Sequence, residues 1–316
     1  MKIHIATLFD RNYLVKTLAF HDALANRGNY QFWFLCLDEE TKRLVEKLAL
    51  PNVTALGLLE LADPELLAAR AERSAAEFAF TSKSALIAHI LAALPDGEAL
   101  LYADNDLLYF APPDELFERM AAHAWSVGVV PHRFAGNKEF LNEKIGRYNA
   151  GLIYFIAGAH ARRLVSDWRT QCITWCYLRY EPGRFGDQLY MNAWPAKYQG
   201  IYEIPDKGIN LGSWSLAHFT LREKNGIWFV DDEPLVCYHF HRIRFYLDGA
   251  QVKPVPIYVF NEKLYEIYRQ RMEKAWRTLA ALEGKWTYGL VEKPSFLRRE
   301  KQIIHRTLRN WYTGTS

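Results

Sequence analysis

Cysteine is scarce, with 4 in 316 residues. Cys36, Cys172, Cys176 and Cys237 form no CxxC pair and no disulfide-like spacing. They read as buried reduced thiols, which excludes a disulfide scaffold and points to a reducing, cytoplasmic compartment. No uncharged apolar run reaches the length of a membrane span, and the longest, Asn149 to Ala161, falls short. The start, Met1 to Asp10, meets an acid too early for a signal peptide. Neither internal repeats nor low-complexity segments occur. The net charge of +3 is too small to argue for nucleic acid. The charge is uneven, however. From Glu262 to Ser316 there are 12 Lys and Arg against 6 Asp and Glu, out of 39 and 36 in the whole chain, so a near-neutral body carries a basic tail.

Half of the residues are hydrophobic and 15% are aromatic, enough for a sizeable core. Short apolar runs alternate with amphipathic segments over the first 60 residues. Ile3–Leu8, Gln31–Leu37 and Val53–Leu58 read as strands, and Leu14–Asn26 and Glu39–Leu50 as helices. This alternation predicts an α/β fold built on βαβ units, with ligands at the carboxyl ends of the strands. Helices are expected over 60–72, 78–94 and 159–180, and strands over 125–130, 149–156, 201–204, 228–230 and 234–240. Pro254-Val-Pro256 marks a change of composition, so 1–256 forms the main domain and 257–316 an aromatic, basic helical extension.

The stretch that organises the chain is Tyr102-Ala-Asp-Asn-Asp-Leu-Leu-Tyr-Phe110. A buried strand, Glu98 to Tyr102, runs into it. In extended backbone Asp104 and Asp106 would point the same way. Two carboxylates at a strand end can hold a hard divalent cation against a diphosphate. An isolated Asp-x-Asp is equally compatible with a solvated turn.

The order of several further motifs resembles that of nucleotide-sugar glycosyltransferases with a GT-A fold, and most closely the family-8-like group and related bacterial sugar transferases. The resemblance covers roughly residues 3–245. It rests on Thr7…Asp10-x-Asn-Tyr13, Phe80-Thr-Ser-Lys83, Leu101-Tyr-Ala-Asp-Asn-Asp106, Tyr148-Asn-Ala-Gly-Leu152, Phe185-Gly-Asp-Gln188, Asn210-Leu-Gly-Ser-Trp214 and Leu235-Val-Cys-Tyr-His-Phe240. It implies a Rossmann-like, mostly parallel central sheet with helices on both faces, and the transfer of a sugar from a nucleoside-diphosphate sugar in polysaccharide biosynthesis.

The resemblance also implies roles. Asp106, Asp104 and His239 would hold Mn²⁺ or Mg²⁺, and an imidazole beside carboxylates favours Mn²⁺. Asp104 would also reach the ribose. His241 is a further candidate ligand or an orienter of the diphosphate. Tyr13 would stack on the base, with Asp10 and Asn12 accepting and donating around it and Thr7 offering backbone contacts. Lys83 would meet phosphate or ribose oxygens. Asn149 would face the donor sugar, and Asp187 and Gln188 the reacting centre. For Asp187 the alternative is the N-cap of the following helix, and for Lys83 a surface lysine. The favoured donor is a UDP-sugar, and the acceptor a glycan or a lipid-linked saccharide.

One departure stands out. The family-8 tail has a glycine three residues after the metal histidine and a lysine six after it. Here those positions are Arg242 and Phe245. Arg242 or Arg244 would then supply the phosphate-binding cation. A nucleotidyltransferase is disfavoured because the loop after the first strand, Leu8 to Tyr13, has no glycine. Residues 297–312 place Leu297, Ile304, Leu308 and Trp311 at helical spacing among basic residues. Such a helix can rest on the anionic inner face of a membrane, or it can pack on the body with its basic face in water.

Overall fold

The computed structural model describes residues 1–134, 136–249, 251–255 and 261–293. In chain order, β1 (Ile3–Phe9), α1 (Leu14–Leu24), β2 (Tyr30–Cys36), α2 (Glu39–Leu48) and β3 (Val53–Gly57) open the chain. Next come α3 (Pro64–Ala69), α4 (Ala75–Ala93), β4 (Ala99–Ala103), β5 (Leu107–Tyr109), α5 (Asp114–Ala122), β6 (Val127–Pro131) and β7 (Tyr148–Ile156). They are followed by α6 (Ala159–Thr174), α7 (Trp194–Lys197), β8 (Ile201–Glu203), β9 (Leu211–Gly212), β10 (Leu221–Lys224), β11 (Ile227–Val230) and β12 (Glu233–Pro234). The last described elements are β13 (Cys237–His239), β14 (Phe245–Asp248), β15 (Gln251–Pro254) and α8 (Glu262–Glu283).

Seven strands form the main sheet in the order β3-β2-β1-β4-β7-β6-β8. Strands β3, β2, β1 and β4 run parallel, and β7 alone opposes its neighbours β4 and β6. The sheet is therefore the mostly parallel α/β sheet expected. All seven residues of β1 are buried because both of its faces are covered. Ile3, Ile5 and Phe9 enter one core with residues of α1, α5 and α8, while Ala6 and Leu8 enter a second core with α4 and α6.

A smaller sheet, β5-β13-β9, stands at the carboxyl end of β4. Strand β5 pairs antiparallel with β13, setting His239 opposite Leu107, and Phe240 N donates to Asp106 O at 2.9 Å. This pairing brings the two distant motifs together.

Three expectations are corrected. The helix expected over 60–72 is broken, because Ala62 turns left-handed at φ 50° and Asp63 starts a new helix by accepting from Leu66 N at 2.9 Å. The helix from residue 159 stops at Thr174 rather than residue 180, because extended Trp175 and the following Cys176 are both buried. The run 234–240 is interrupted between β12 and β13.

The boundary expected at 256 and 257 lies outside the described residues, as does the helix expected over 297–312. Helix α8 follows that boundary and packs on α1. Asp22 of α1 pairs with Arg271 and Lys274 of α8. Beyond α8 the chain returns to the loop after β1, where Arg11 lies over the Tyr288 ring at 4.5 Å. Gly289, at φ 73°, permits this approach, since a Cβ there would meet Asn12 O at 2.0 Å. No helix of the described residues is long and apolar enough to cross a membrane.

Candidate active site

Strand β4 ends at Ala103, so the extended geometry that would have aligned Asp104 with Asp106 is absent. Residues 104–107 turn instead, with Leu107 N donating to Asp104 O at 3.2 Å. Asn105 pins the turn, for its buried amide donates to Leu8 O at 3.1 Å. The two carboxylates consequently meet different partners.

Asp106 faces β13. Its Oδ1 lies 2.8 Å from His239 Nε2, and its side chain is 13% exposed. One ligand atom from each of Asp106, His239 and His241 falls within 4.8 Å of the others. Burial would raise the Asp106 carboxyl, but His239 and Lys16 outweigh it and hold the group well below the usual carboxylate range. His241 is exposed, yet partial desolvation of its ring, with His239 beside it, pushes the imidazole down to about 4, which favours the neutral form that a metal needs. On the far side of the His239 ring, Nδ1 lies 3.0 Å from Asn210 Oδ1. Asn210 Oδ1 is placed to accept from Nδ1–H and so to orient the ring, with Nε2 turned towards Asp106, where an ion between them would take its lone pair. A carboxylate, two imidazoles and an orienting amide fit a divalent cation.

Asp104 belongs to a second group. Tyr102 Oη donates to its Oδ1 at 2.8 Å, and Lys83 Nζ lies 3.6 Å from the same atom. Asp104 stands outside the three-residue cluster, and His241 stands inside it. The groups still adjoin across Gly151. A Cβ on Gly151 would lie 2.6 Å from Asp104 Oδ2, 2.7 Å from Asn149 Oδ1 and 2.8 Å from His239 Cε1. Gly151 is glycine because three polar side chains converge on it.

Lys83 is 3% exposed and is no surface lysine. It donates to Ala150 O at 3.0 Å and lies 2.8 Å from Asp187 Oδ2. Burial alone would depress it, but Asp104 and Asp187 hold it protonated, above the ordinary lysine range. Asp187 does not cap the helix after it. Its buried Oδ2 is held by the Lys83 ammonium at 2.8 Å. Gln188 donates to Ile145 O at 2.7 Å. Asn149 contacts His132 Nε2 at 2.9 Å and accepts from Gly151 N at 2.9 Å.

At the other end of the site, Asp10 accepts from Asn12 N and from Asn12 Nδ2, at 2.9 and 3.0 Å. The Tyr13 ring is 46% exposed, and buried Thr7 Oγ1 has no hydrogen-bond partner. Arg242 and Arg244 are exposed. Trp175 and Trp194 are core residues, whereas Trp214 packs edge-on against His132, His239 and His241.

Sequence reasoning missed Lys16, His132 and the tie from Asn210 to His239. Lys16 and His132 sit outside the motifs used, and only the Asn210 motif carried a signal.

The fold is shared with solved glycosyltransferases. The galactosyltransferase LgtC, in complex with donor and acceptor sugar analogues, superposes with a TM-score of 0.52 at 15% identity, over 84% of this chain and 95% of its own. An active-site mutant of LgtC gives 0.53 at 14%, over 94% and 99%. The bifunctional glycosyltransferase WbbM gives 0.51 at 14%, over 86% and 49%. The chain has the GT-A fold. Two proteins of Bacillus subtilis (strain 168), both uncharacterised, are similar in sequence. YfnD is 28% identical over 240 residues, 75% of this chain and 76% of its own length. YfnF is 29% identical over 217 residues, 67% and 72%. No family model matches.

Proposed function

We propose that this GT-A chain is a metal-dependent glycosyltransferase. It moves a sugar from a nucleoside-diphosphate sugar, favoured as a UDP-sugar, to a hydroxyl of a glycan or lipid-linked saccharide. The observation that carries this reading is the convergence of Asp106, His239 and His241 at the carboxyl edge of the sheet, within 4.8 Å. The donor and acceptor sugar analogues named for LgtC support the substrate class.

Asp106, His239 and His241 would hold the cation, and two imidazoles favour Mn²⁺ over Mg²⁺. The cation supplies positive charge where a diphosphate leaves. The chain does the rest. The open face of Tyr13 offers a platform for the base. Asp104, Asn149 and Asp187 present oxygens and an amide at the donor sugar, suiting its hydroxyls. Lys83, fixed between Asp104 and Asp187, keeps these carboxylates in place. Asp187 and Gln188 are assigned to the reacting centre.

The test is a turnover screen of UDP-, GDP-, CMP- and dTDP-sugars, with and without Mn²⁺. Turnover with a nucleoside-diphosphate sugar, abolished by chelation and by Asp106→Ala, is expected. Unchanged turnover in Asp106→Ala would rule out the metal role.

A further inference from the structure

Lys16 stands three residues beyond Tyr13, on the first turn of α1. Its side chain is 12% exposed, and its ammonium lies 4.0 Å from Asp106 Oδ2. The Tyr13 ring centroid is 4.9 Å away. Among the described residues the ammonium donates no hydrogen bond. The ammonium carries three donors. The group is thus held at the site's edge by one long ion contact, with its donors available to something else.

The surroundings say what that is. Residues i and i+3 share a helix face, so Tyr13 and Lys16 lie on one face. Tyr13 presents an exposed flat ring, and beyond Lys16 stands Asp106 of the candidate metal cluster. Ring platform, cation and metal ligand follow one another as base, phosphates and bound cation do in a nucleoside diphosphate. Among the described residues of the C-terminal strands, Lys253 is paired with Asp248. Phe245, six residues past His239, is 1% exposed and packs against Tyr268.

We propose that Lys16 is the lysine that binds the non-bridging oxygens of the donor's diphosphate. The assignment rests on the proposed function. It moves this contact from the C-terminal strands to helix α1.

The test is calorimetric titration of the full chain and of Lys16→Met, Lys16→Gln and Lys16→Arg. The probes are Mn²⁺ alone, pyrophosphate with Mn²⁺, and UDP with Mn²⁺. Thermal melts establish that each variant is folded. Lys16→Met and Lys16→Gln should weaken pyrophosphate and UDP by about tenfold or more, the loss of a charge-assisted contact. Lys16→Arg should retain most of the affinity. Binding of Mn²⁺ alone should be unchanged or tighter, since a like charge beside Asp106 has gone. Unchanged pyrophosphate affinity in the folded Met and Gln variants would overturn the proposal. So would equal losses for Mn²⁺ and pyrophosphate, which would mark Lys16 as only a structural partner of Asp106. If the unmodified chain binds neither pyrophosphate nor UDP and turns over no nucleotide sugar, the proposed function itself fails. If it turns over substrate while the variants bind normally, only the Lys16 assignment fails.

Discussion

The imidazole of His239 is held from behind by Asn210, with Nδ1 3.0 Å from Oδ1, while Nε2 reaches 2.8 Å from Asp106. Asn210 occupies left-handed backbone at φ 58°, a conformation that asparagine tolerates better than alanine. Asn210→Ala should therefore weaken Mn²⁺ binding by roughly tenfold or more, and cost about 1 kcal/mol of backbone strain. Metal titration and urea unfolding of the one variant report the two effects separately. Unchanged Mn²⁺ affinity would show that the amide does not orient the ring.

Gly151→Ala places a methyl group within 2.8 Å of three site atoms. Asp104 Oδ2 can swing aside, but Asn149 Oδ1 is held by Gly151 N and the His239 ring by Asn210 and Asp106, so the site must shift. Turnover should fall by well over tenfold, since a misplacement of about 1 Å costs on the order of 100-fold. The chain should still fold. A variant that is fully active would mean that Asp104, Asn149 and His239 are not jointly required.

Lys83 and Asp187 form a buried pair, 3% and 4% exposed. Lys83→Met leaves Asp187 buried without its counter-charge, which should cost about 3–5 kcal/mol of stability. The double variant Lys83→Met with Asp187→Asn should recover part of that loss, because no uncompensated charge remains. Urea unfolding of the single and double variants closes the cycle. Equal stabilities across it would show that the two groups are uncoupled.

Asp22 joins α1 to α8. Burial would raise its carboxyl, but Lys274 and Arg271 outweigh this and lower it from 3.8. A depressed carboxyl stabilises the fold above its unfolded value and loses that contribution as pH falls through the folded one. Wild type should therefore exceed Asp22→Asn in stability at pH 7, and the difference should shrink towards pH 3. Because the pair is partly exposed, the difference should stay below about 1 kcal/mol. Paired urea unfolding at the two pH values checks the sign.

The sequence by itself determined the alternating α/β plan. A strand buried on both faces must be mostly apolar: Ala99–Ala103 is so, and Ile3–Phe9 is so except at His4 and Thr7. It also marked the acids at the end of the fourth strand, because strand ends are where this architecture binds ligands. Only the tertiary structure decided which acid faces which partner. Period-two alternation predicts direction only while the backbone stays extended, and the turn at Asp104 ends that regime. The pairing of β5 with β13 then gave Asp106 to His239, while Tyr102 and Lys83 took Asp104. Lys16 was illegible for the same reason. A lysine in the first turn of a helix reads as solvated until the neighbouring turn shows it facing a carboxylate.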